Sequence, residues 1–296
     1  MAATPLKVSI VIPTLNAAGE IGSLVRKLER QSLVPDEIIV VDSESTDGTL
    51  EKAVSSSRLV RAIPILRSDF NHGLTRHRAL LQSTGEYVCF LTQDAVPVDE
   101  NYLRNLVRPM AADASIALVS GRQLPKPNAR RFEQLVRNFN YSDVPSVRTK
   151  KDLTTYGIKT FFASDACSAY RRDAYLSCGG FSEVNTNEDM LMAARFIADG
   201  WAVAYEPSAA VYHSHNLTPH QQFERNRQVG RFLREHQAAL MDVSEMGEGG
   251  RLVKSVASQL LQERRIRELL AFAVDCAARL AGNRVGRLEA SRSMKE

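Results

Sequence analysis

Short apolar runs alternate with helical patterns through the first half of the chain. Val8–Pro13 (VSIVIP) is a β-branched run closed by proline, and Glu37–Val41 (EIIVV), Leu59–Leu66 and Glu86–Leu91 repeat the theme. Between them, Ile21, Leu24, Val25 and Leu28 share one helical face and predict a helix over about Glu20–Gln31. Further helices are expected at Thr49–Ser57, Thr75–Ser83 and Asn101–Met110. Continuously apolar strands separated by helices predict an α/β fold, with a mostly parallel sheet and helices on both faces. Further on, Ile116–Ser120 predicts a strand and Ala129–Phe139 a helix, while Tyr141–Asp152, with proline, serine and charge but no period, predicts a mobile loop. Glu188–Ala198 reads as a helix, and Trp201–Tyr205 and Ala209–Tyr212 as extended segments. From Pro219 to Glu263 the pattern is helical, broken at Met246–Gly250, and helical spacing continues from Leu252 to Leu280. The expected division is an α/β domain over 1–217 and a helical region over 218–296.

Composition narrows the class. The 296 residues are 44% hydrophobic and 24% charged, with net charge +4, which excludes collagen-like, disordered and disulfide-scaffold proteins. The apolar runs fall far short of the roughly 18 residues that span a bilayer. The N-terminus passes directly into strand pattern without a signal-peptide core, so a cytoplasmic location is expected. Cys89, Cys167, Cys178 and Cys276 lack CxxC spacing and are expected to act as small buried hydrophobes. The mild positive excess permits attraction to phosphates or an anionic membrane face, and gives no reason to expect nucleic-acid binding.

In open α/β sheets, ligands bind beyond the carboxyl ends of the strands. Thr14-Leu15-Asn16, Asp42-Ser43 and Thr92-Gln93-Asp94-Ala95 stand at three such ends. The Gly-x-Gly-x-x-Gly and Walker loops are missing, which argues against a nicotinamide dehydrogenase and a P-loop NTPase. Asp94 suits a divalent cation that also holds phosphate oxygens. An Asp at such a turn also serves as a helix cap, but Asp99 is the nearer cap. Asp42 is placed to meet a base or ribose, and Asp47 to cap the helix starting at Gly48. Asp69-Phe70-Asn71-His72-Gly73 precedes a helix whose Arg76 offers donors to a phosphate or to Asp42. Glu188-Asp189 opens a helix, where acids are favoured by the dipole alone. His213 and His215, two apart on an extended segment, face one side and could complete a metal site.

Together these residues resemble glycosyltransferase family 2, the inverting enzymes of the GT-A fold. The resemblance rests on VSIVIPTLN (Val8–Asn16), IIVVDSESTDGT (Ile38–Thr49), GEYVCFLTQDA (Gly85–Ala95), GGF…NED (Gly179–Asp189) and HSH (His213–His215). DFNHGLTR (Asp69–Arg76), SGRQLP (Ser120–Pro125), FNY (Phe139–Tyr141), GIKTFFAS (Gly157–Ser164) and HSHN (His213–Asn216) are similar to bacterial dTDP-rhamnosyltransferases. It covers roughly Lys7 to Arg234. The resemblance implies donor-binding roles for Pro13, Thr14, Asn16, Glu20, Asp42, Ser43, Asp69, Asn71, Gly73, Arg76, Gln93 and Asp94. It implies Asp189, beside Glu188, as catalytic base, and a divalent cation (Mg²⁺ or Mn²⁺) held by Asp94 with His213 or His215. Thr92 departs from the family's Asp-x-Asp metal motif, leaving Asp94 as its one carboxylate. The implied activity is transfer of L-rhamnose from dTDP-β-L-rhamnose to a glycan or lipid-linked acceptor in cell-surface polysaccharide synthesis. Transfer from a UDP- or GDP-linked sugar and a silent sugar-nucleotide-binding module are the alternatives. A nucleotidyltransferase is disfavoured because Thr14–Gly19 carries no basic residue.

Apolar residues and arginines coexist over Arg251–Arg287. Three readings stay open: an amphipathic helix on the inner face of the membrane, a helix packed on the catalytic domain, or a contact between subunits of a homo-oligomer.

Overall fold

The computed structural model describes residues 6–241, 243 and 248–294. Part of the expected helix break at Met246–Gly250 therefore lies outside the described residues. In chain order the elements begin β1 (Val8–Thr14), α1 (Ile21–Glu29), β2 (Glu37–Ser43), α2 (Thr49–Ser56), β3 (Val60–Ile65), α3 (His72–Gln82), β4 (Tyr87–Leu91), β5 (Val96–Pro97) and α4 (Tyr102–Ala112). They continue with β6 (Ile116–Leu124), α5 (Arg131–Asn140), β7 (Ser146–Arg148), α6 (Leu153–Tyr156), β8 (Cys167–Arg171), α7 (Arg172–Ser177), α8 (Glu188–Ala198) and β9 (Ala202–Tyr212). Three helices follow, α9 (Pro219–Glu235), α10 (Glu248–Gln262) and α11 (Ile266–Ser293).

The strands form one sheet in the order β3-β2-β1-β4-β8-β6-β9-β5, with β7 also on β9. The expected parallel pairing holds for β3-β2-β1-β4. Beyond β4 the sheet turns antiparallel, at β4·β8, β6·β8, β5·β9 and β7·β9. An apolar run reports burial on both faces and carries no information on strand direction, which is why the sequence pattern suggested more parallel strands than the sheet holds. The segment read as a mobile loop contains β7, with Val147 opposite Ala204. Backbone pairing at an edge needs no apolar period, and Val147 is largely exposed. The two extended segments around residue 207 are one strand, β9: Glu206 bridges the irregular spot by accepting from the backbone N–H and hydroxyl of Ser208.

Residues group into two compact units. One takes the chain up to Gln123 together with Asp143–Asp152 and Thr160–His213, the other Leu124–Ser142, Leu153–Lys159 and the residues from Ser214 onward. The first unit's core buries Ile10, Ile12, Leu24, Leu28, Val40 and Leu106 where α1 and α4 cover the sheet. Beside it, Phe90, Tyr170, Tyr175 and Phe181 stack edge to face at 5.1–5.7 Å, a packing that contributes beyond its buried area. In the second unit Phe132, Leu135 and Val136 of α5 pack with Val256, Leu260 and Phe272. Cys89 and Cys167 are buried, while Cys178 and Cys276 are half-buried; all four are free thiols.

Candidate active site

The parallel register sets Thr14 of β1 opposite Asp42 of β2, so both side chains arrive at the same end of the sheet. Asp42 is buried and accepts hydrogen bonds from the hydroxyls of Thr14 (2.9 Å) and Ser45 (2.6 Å) and from the Ser45 N–H (3.0 Å). Asn16, at a positive φ of 49°, accepts from the Thr46 N–H at 3.0 Å while its own N–H donates to Ser45 at 2.8 Å. Asp47 caps the start of α2 through the Thr49 N–H and holds Ala18 from its other oxygen. These bonds tie the turns after β1 and β2 into one wall.

A cleft of about 360 Å³ opens there, lined by Pro13, Thr14, Leu15, Ser43, Arg67, Phe70, His72, Arg76, Thr92 and Gln93. Gln93 is held across its floor, its carbonyl accepting from the Leu15 N–H at 2.8 Å. The Ser43 and Thr92 hydroxyls and the Arg76 Nε are buried and have no hydrogen-bond partner within the protein. The two hydroxyls are donors left for a ligand's acceptor atoms, since a buried unsatisfied donor otherwise costs about 1–3 kcal/mol, whereas the Arg76 Nε faces Asp165 at 3.8 Å.

Behind the cleft lies a buried ionic cluster. Arg76 places Nη1 2.9 Å from Glu188 and Nε 3.8 Å from Asp165, rather than reaching Asp42. Burial alone would lower the Arg76 pKa; Glu188, Asp165 and Asp189 outweigh it and hold it above its ordinary value. Asp189 accepts from the backbone N–H groups of Asp165 (3.1 Å) and Met190 (2.7 Å). Desolvation, followed by the charges of Glu188 and Asp165, pushes the Asp189 carboxyl well above the usual carboxylate range. Asn71 caps α3 by accepting from the Leu74 N–H and donates to Asn185, and a Cβ on Gly73 would overlap the Ser182 carbonyl. Those contacts fix the start of α3 against the loop that delivers Glu188 and Asp189.

A second acidic position gathers histidines. Asp94 Oδ1 lies 3.4 Å from His213 Nε2, and His215 follows two residues on in the chain. The other His213 nitrogen, Nδ1, donates to Gln123 Oε1 at 2.8 Å, and the Gln123 amide in turn donates to Ser164 at 2.7 Å. With Nδ1 as donor, Nε2 is the nitrogen that faces the Asp94 carboxylate, an arrangement that fits a divalent cation bound by both.

The model of glycosyl transferase family 2 matches residues 9–178. The chain belongs to glycosyl transferase family 2. It is 39% identical over 260 residues to the O-antigen chain rhamnosyltransferase RfbN of Salmonella typhimurium, covering 87% of this chain and 82% of that one. Identity to the O-antigen chain rhamnosyltransferase WbaN of Salmonella anatum is 38% over 86% and 81% of the two chains. Among solved structures, the mannosyltransferase PcManGT of Pyrobaculum calidifontis, in complex with GDP-Man and Mn²⁺, superposes with a TM-score of 0.66 at 17% identity, covering 97% of this chain and 88% of that one. Glucosyl-3-phosphoglycerate synthase of Mycobacterium tuberculosis, in complex with Mn²⁺, UDP and glucosyl-3-phosphoglycerate, follows the same fold with a TM-score of 0.57 at 19% identity over 82% of each chain. The chain is thus a glycosyltransferase with the fold that the sequence motifs implied.

Within this family 2 transferase the sequence-derived residues fall into distinct places. Pro13, Thr14, Ser43, Arg76 and Gln93 line the cleft; Asp42 and Asn16 build its wall. Asn71 and Gly73 lock the first turn of α3. Glu20 and Asp69 are exposed and do not line the cleft. Sequence reasoning assigned no role to Arg67, Phe70, His72, Asp165 and Gln123. Gln123 lies inside the SGRQLP motif, so a signal for it existed; a lone acid ahead of β8 carries none.

Proposed function

We propose that the chain transfers L-rhamnose from dTDP-β-L-rhamnose, with inversion, to a hydroxyl of a glycan or lipid-linked acceptor in cell-surface polysaccharide synthesis. The two Salmonella relatives support the donor and product class, and the Arg76-centred carboxylate cluster at the cleft carries the chemistry. In this reading the region 1–217 is catalytic and 218–296 is a helical region serving contact with the acceptor-bearing membrane from the cytoplasmic side.

Ser43 and Thr92 would present their unpaired hydroxyls, and Arg76 its positive charge, to the nucleotide diphosphate, and Pro13, Leu15 and Phe70 would exclude water around it. Asp94, His213 and His215 would hold Mg²⁺ or Mn²⁺, which when bound supplies charge to offset that of the departing diphosphate. Asp189 takes the proton from the acceptor hydroxyl as its oxygen bonds to the anomeric carbon. The bond from that carbon to the phosphate oxygen breaks on the opposite face, its electron pair leaving with the diphosphate. One displacement inverts the centre and yields an α-L-rhamnoside. A hydroxyl's high pKa makes a base indispensable, and burial strengthens Asp189 for that task.

The test pairs binding with turnover. A nucleotide sugar that binds the folded state raises the melting temperature, so dTDP-rhamnose should do so, in the presence of Mg²⁺ or Mn²⁺, more than UDP-glucose or GDP-mannose. Asp189→Asn should retain that shift and lose transfer by roughly 10²–10⁴-fold. Transfer at the wild-type rate by Asp189→Asn, or a larger shift with UDP-glucose, would remove the base assignment or the donor assignment respectively.

A further inference from the structure

We propose that Asp165 is a positioning residue for the base: its N–H aims Asp189, and its carboxylate strengthens Asp189 by setting a second negative charge beside it. The inference rests on the reading of Asp189 as the group that accepts the acceptor's proton.

Geometry carries it. The Asp165 N–H donates to Asp189 Oδ2 at 3.1 Å, so Asp189 is oriented by two backbone donors rather than by a side chain. Asp165 itself is 2% exposed. Its Oδ1 accepts from the hydroxyls of Ser168 (2.6 Å) and Tyr170 (2.9 Å), both on β8. Its Oδ2 has no hydrogen-bond partner and points to Arg76 Nε, equally unpartnered, at 3.8 Å. The contact with Arg76 is therefore one of charge with charge, without a hydrogen bond to hold it. Three acids (Asp165, Glu188 and Asp189) share the single guanidinium of Arg76, giving a formal charge of −2 when all are ionised. α3 also brings His72, whose carbonyl accepts from Arg76 at 3.1 Å. Tyr170, from β8, stays neutral, its hydroxyl pKa raised by burial.

Such a cluster resists losing its last proton. Burial raises the Asp165 carboxyl to about 6, against the opposing pull of Arg76. Asp189 is raised as well, by desolvation first, and the Asp165 charge is one of the causes. As the acceptor's proton moves to Asp189, one negative charge beside Asp165 disappears, so the protonated product of that step is favoured.

The decisive measurement is the pH dependence of kcat on the full-length protein. The base must be ionised to act, so the rate rises with pH through its apparent pKa. Asp165→Asn removes a like charge and should move that acid limb to lower pH, by about one unit. It should also lower the plateau several-fold, because a weaker base transfers the proton less readily, while the donor KM stays within about twofold, as expected for loss of an interaction made only in the transition state. Ser168→Ala, a smaller change that keeps the Asp165 carboxylate in place, costs Asp165 a bond that favours its ionised form and should shift the limb in the same direction by less. An equal loss at every pH with an unmoved limb would show Asp165 to be structural only and overturn the proposal, as would wild-type profiles for both variants. Wild-type turnover by Asp189→Asn would overturn the base reading and this inference with it, whereas an inactive Asp189→Asn beside an unmoved limb overturns this inference alone.

Discussion

His213 shows how one amide decides the chemistry of a ring. Gln123 Oε1 can only accept, so the 2.8 Å contact makes His213 Nδ1 the donor and leaves Nε2 for Asp94. Replacing Gln123 by leucine keeps the bulk of the side chain but frees the ring to rotate and change tautomer. Gln123→Leu should therefore weaken Mn²⁺ binding by roughly 10–100-fold, as read by calorimetric titration of the full chain, with its melting temperature without metal little altered. Undiminished Mn²⁺ affinity would mean that His213 is not a ligand. What could be read from sequence at this scale follows a simple rule. Thr14, Ser43 and Gln93 end apolar runs, and a strand's carboxyl end is a place that the pattern itself marks. Asp165 and Gln123 act on residues 24 and 90 positions away, and no local pattern encodes such a distance.

Helix α11 meets α9 backbone to backbone at three glycines. A Cβ on Gly286 would overlap the Arg227 carbonyl, one on Gly282 the Phe223 carbonyl, and one on Gly230 the Asn283 carbonyl. The close approach lets Arg227 of α9 reach Glu289 of α11 at 3.0 Å. Gly286→Val has nowhere to put its methyl groups and must separate the helices, at a cost of about 2–3 kcal/mol. The melting temperature of the full chain should fall by roughly 3–5 °C. Gly249→Ala, where nothing lies within 4 Å of the added atom, should leave it unchanged or slightly raised. Equal melting of Gly286→Val and wild type would mean that the two helices do not approach this closely in solution. Helical periodicity revealed both helices, but glycines weaken a helical signal, and periodicity names a face without naming what it meets. The same limit hid β7 and the antiparallel half of the sheet: burial is written in the hydropathy pattern, whereas strand direction and edge pairing are written in the connections.

At the scale of the whole molecule, the family and the α/β class were legible because several motifs agree across most of the chain. The role of the C-terminal helices was not, because a basic amphipathic helix serves a membrane or a protein partner equally well. Exposure now separates its faces. Ile266, Leu270 and Val274, one turn apart on α11, are 54%, 64% and 53% exposed, with Leu261 at 54% just before them. Arg264, Arg265 and Arg267 flank that stripe and are exposed as well. No helix of the described residues is long and apolar enough to cross a membrane, so any association through this stripe must lie in the interface plane. Three arginines near an anionic surface contribute about 1 kcal/mol each, and a buried leucine side chain about 1.5–3 kcal/mol. The full chain should cosediment with vesicles containing phosphatidylglycerol, bind far less to pure phosphatidylcholine, and release as salt screens the attraction. Leu270→Glu should lower the partition coefficient at least tenfold, since about 1.4 kcal/mol corresponds to that factor, and solution-phase transfer to a soluble acceptor analogue should persist. Equal binding to neutral vesicles, or a Leu270→Glu variant that sediments like wild type, would place the contact elsewhere and leave the stripe to a protein partner.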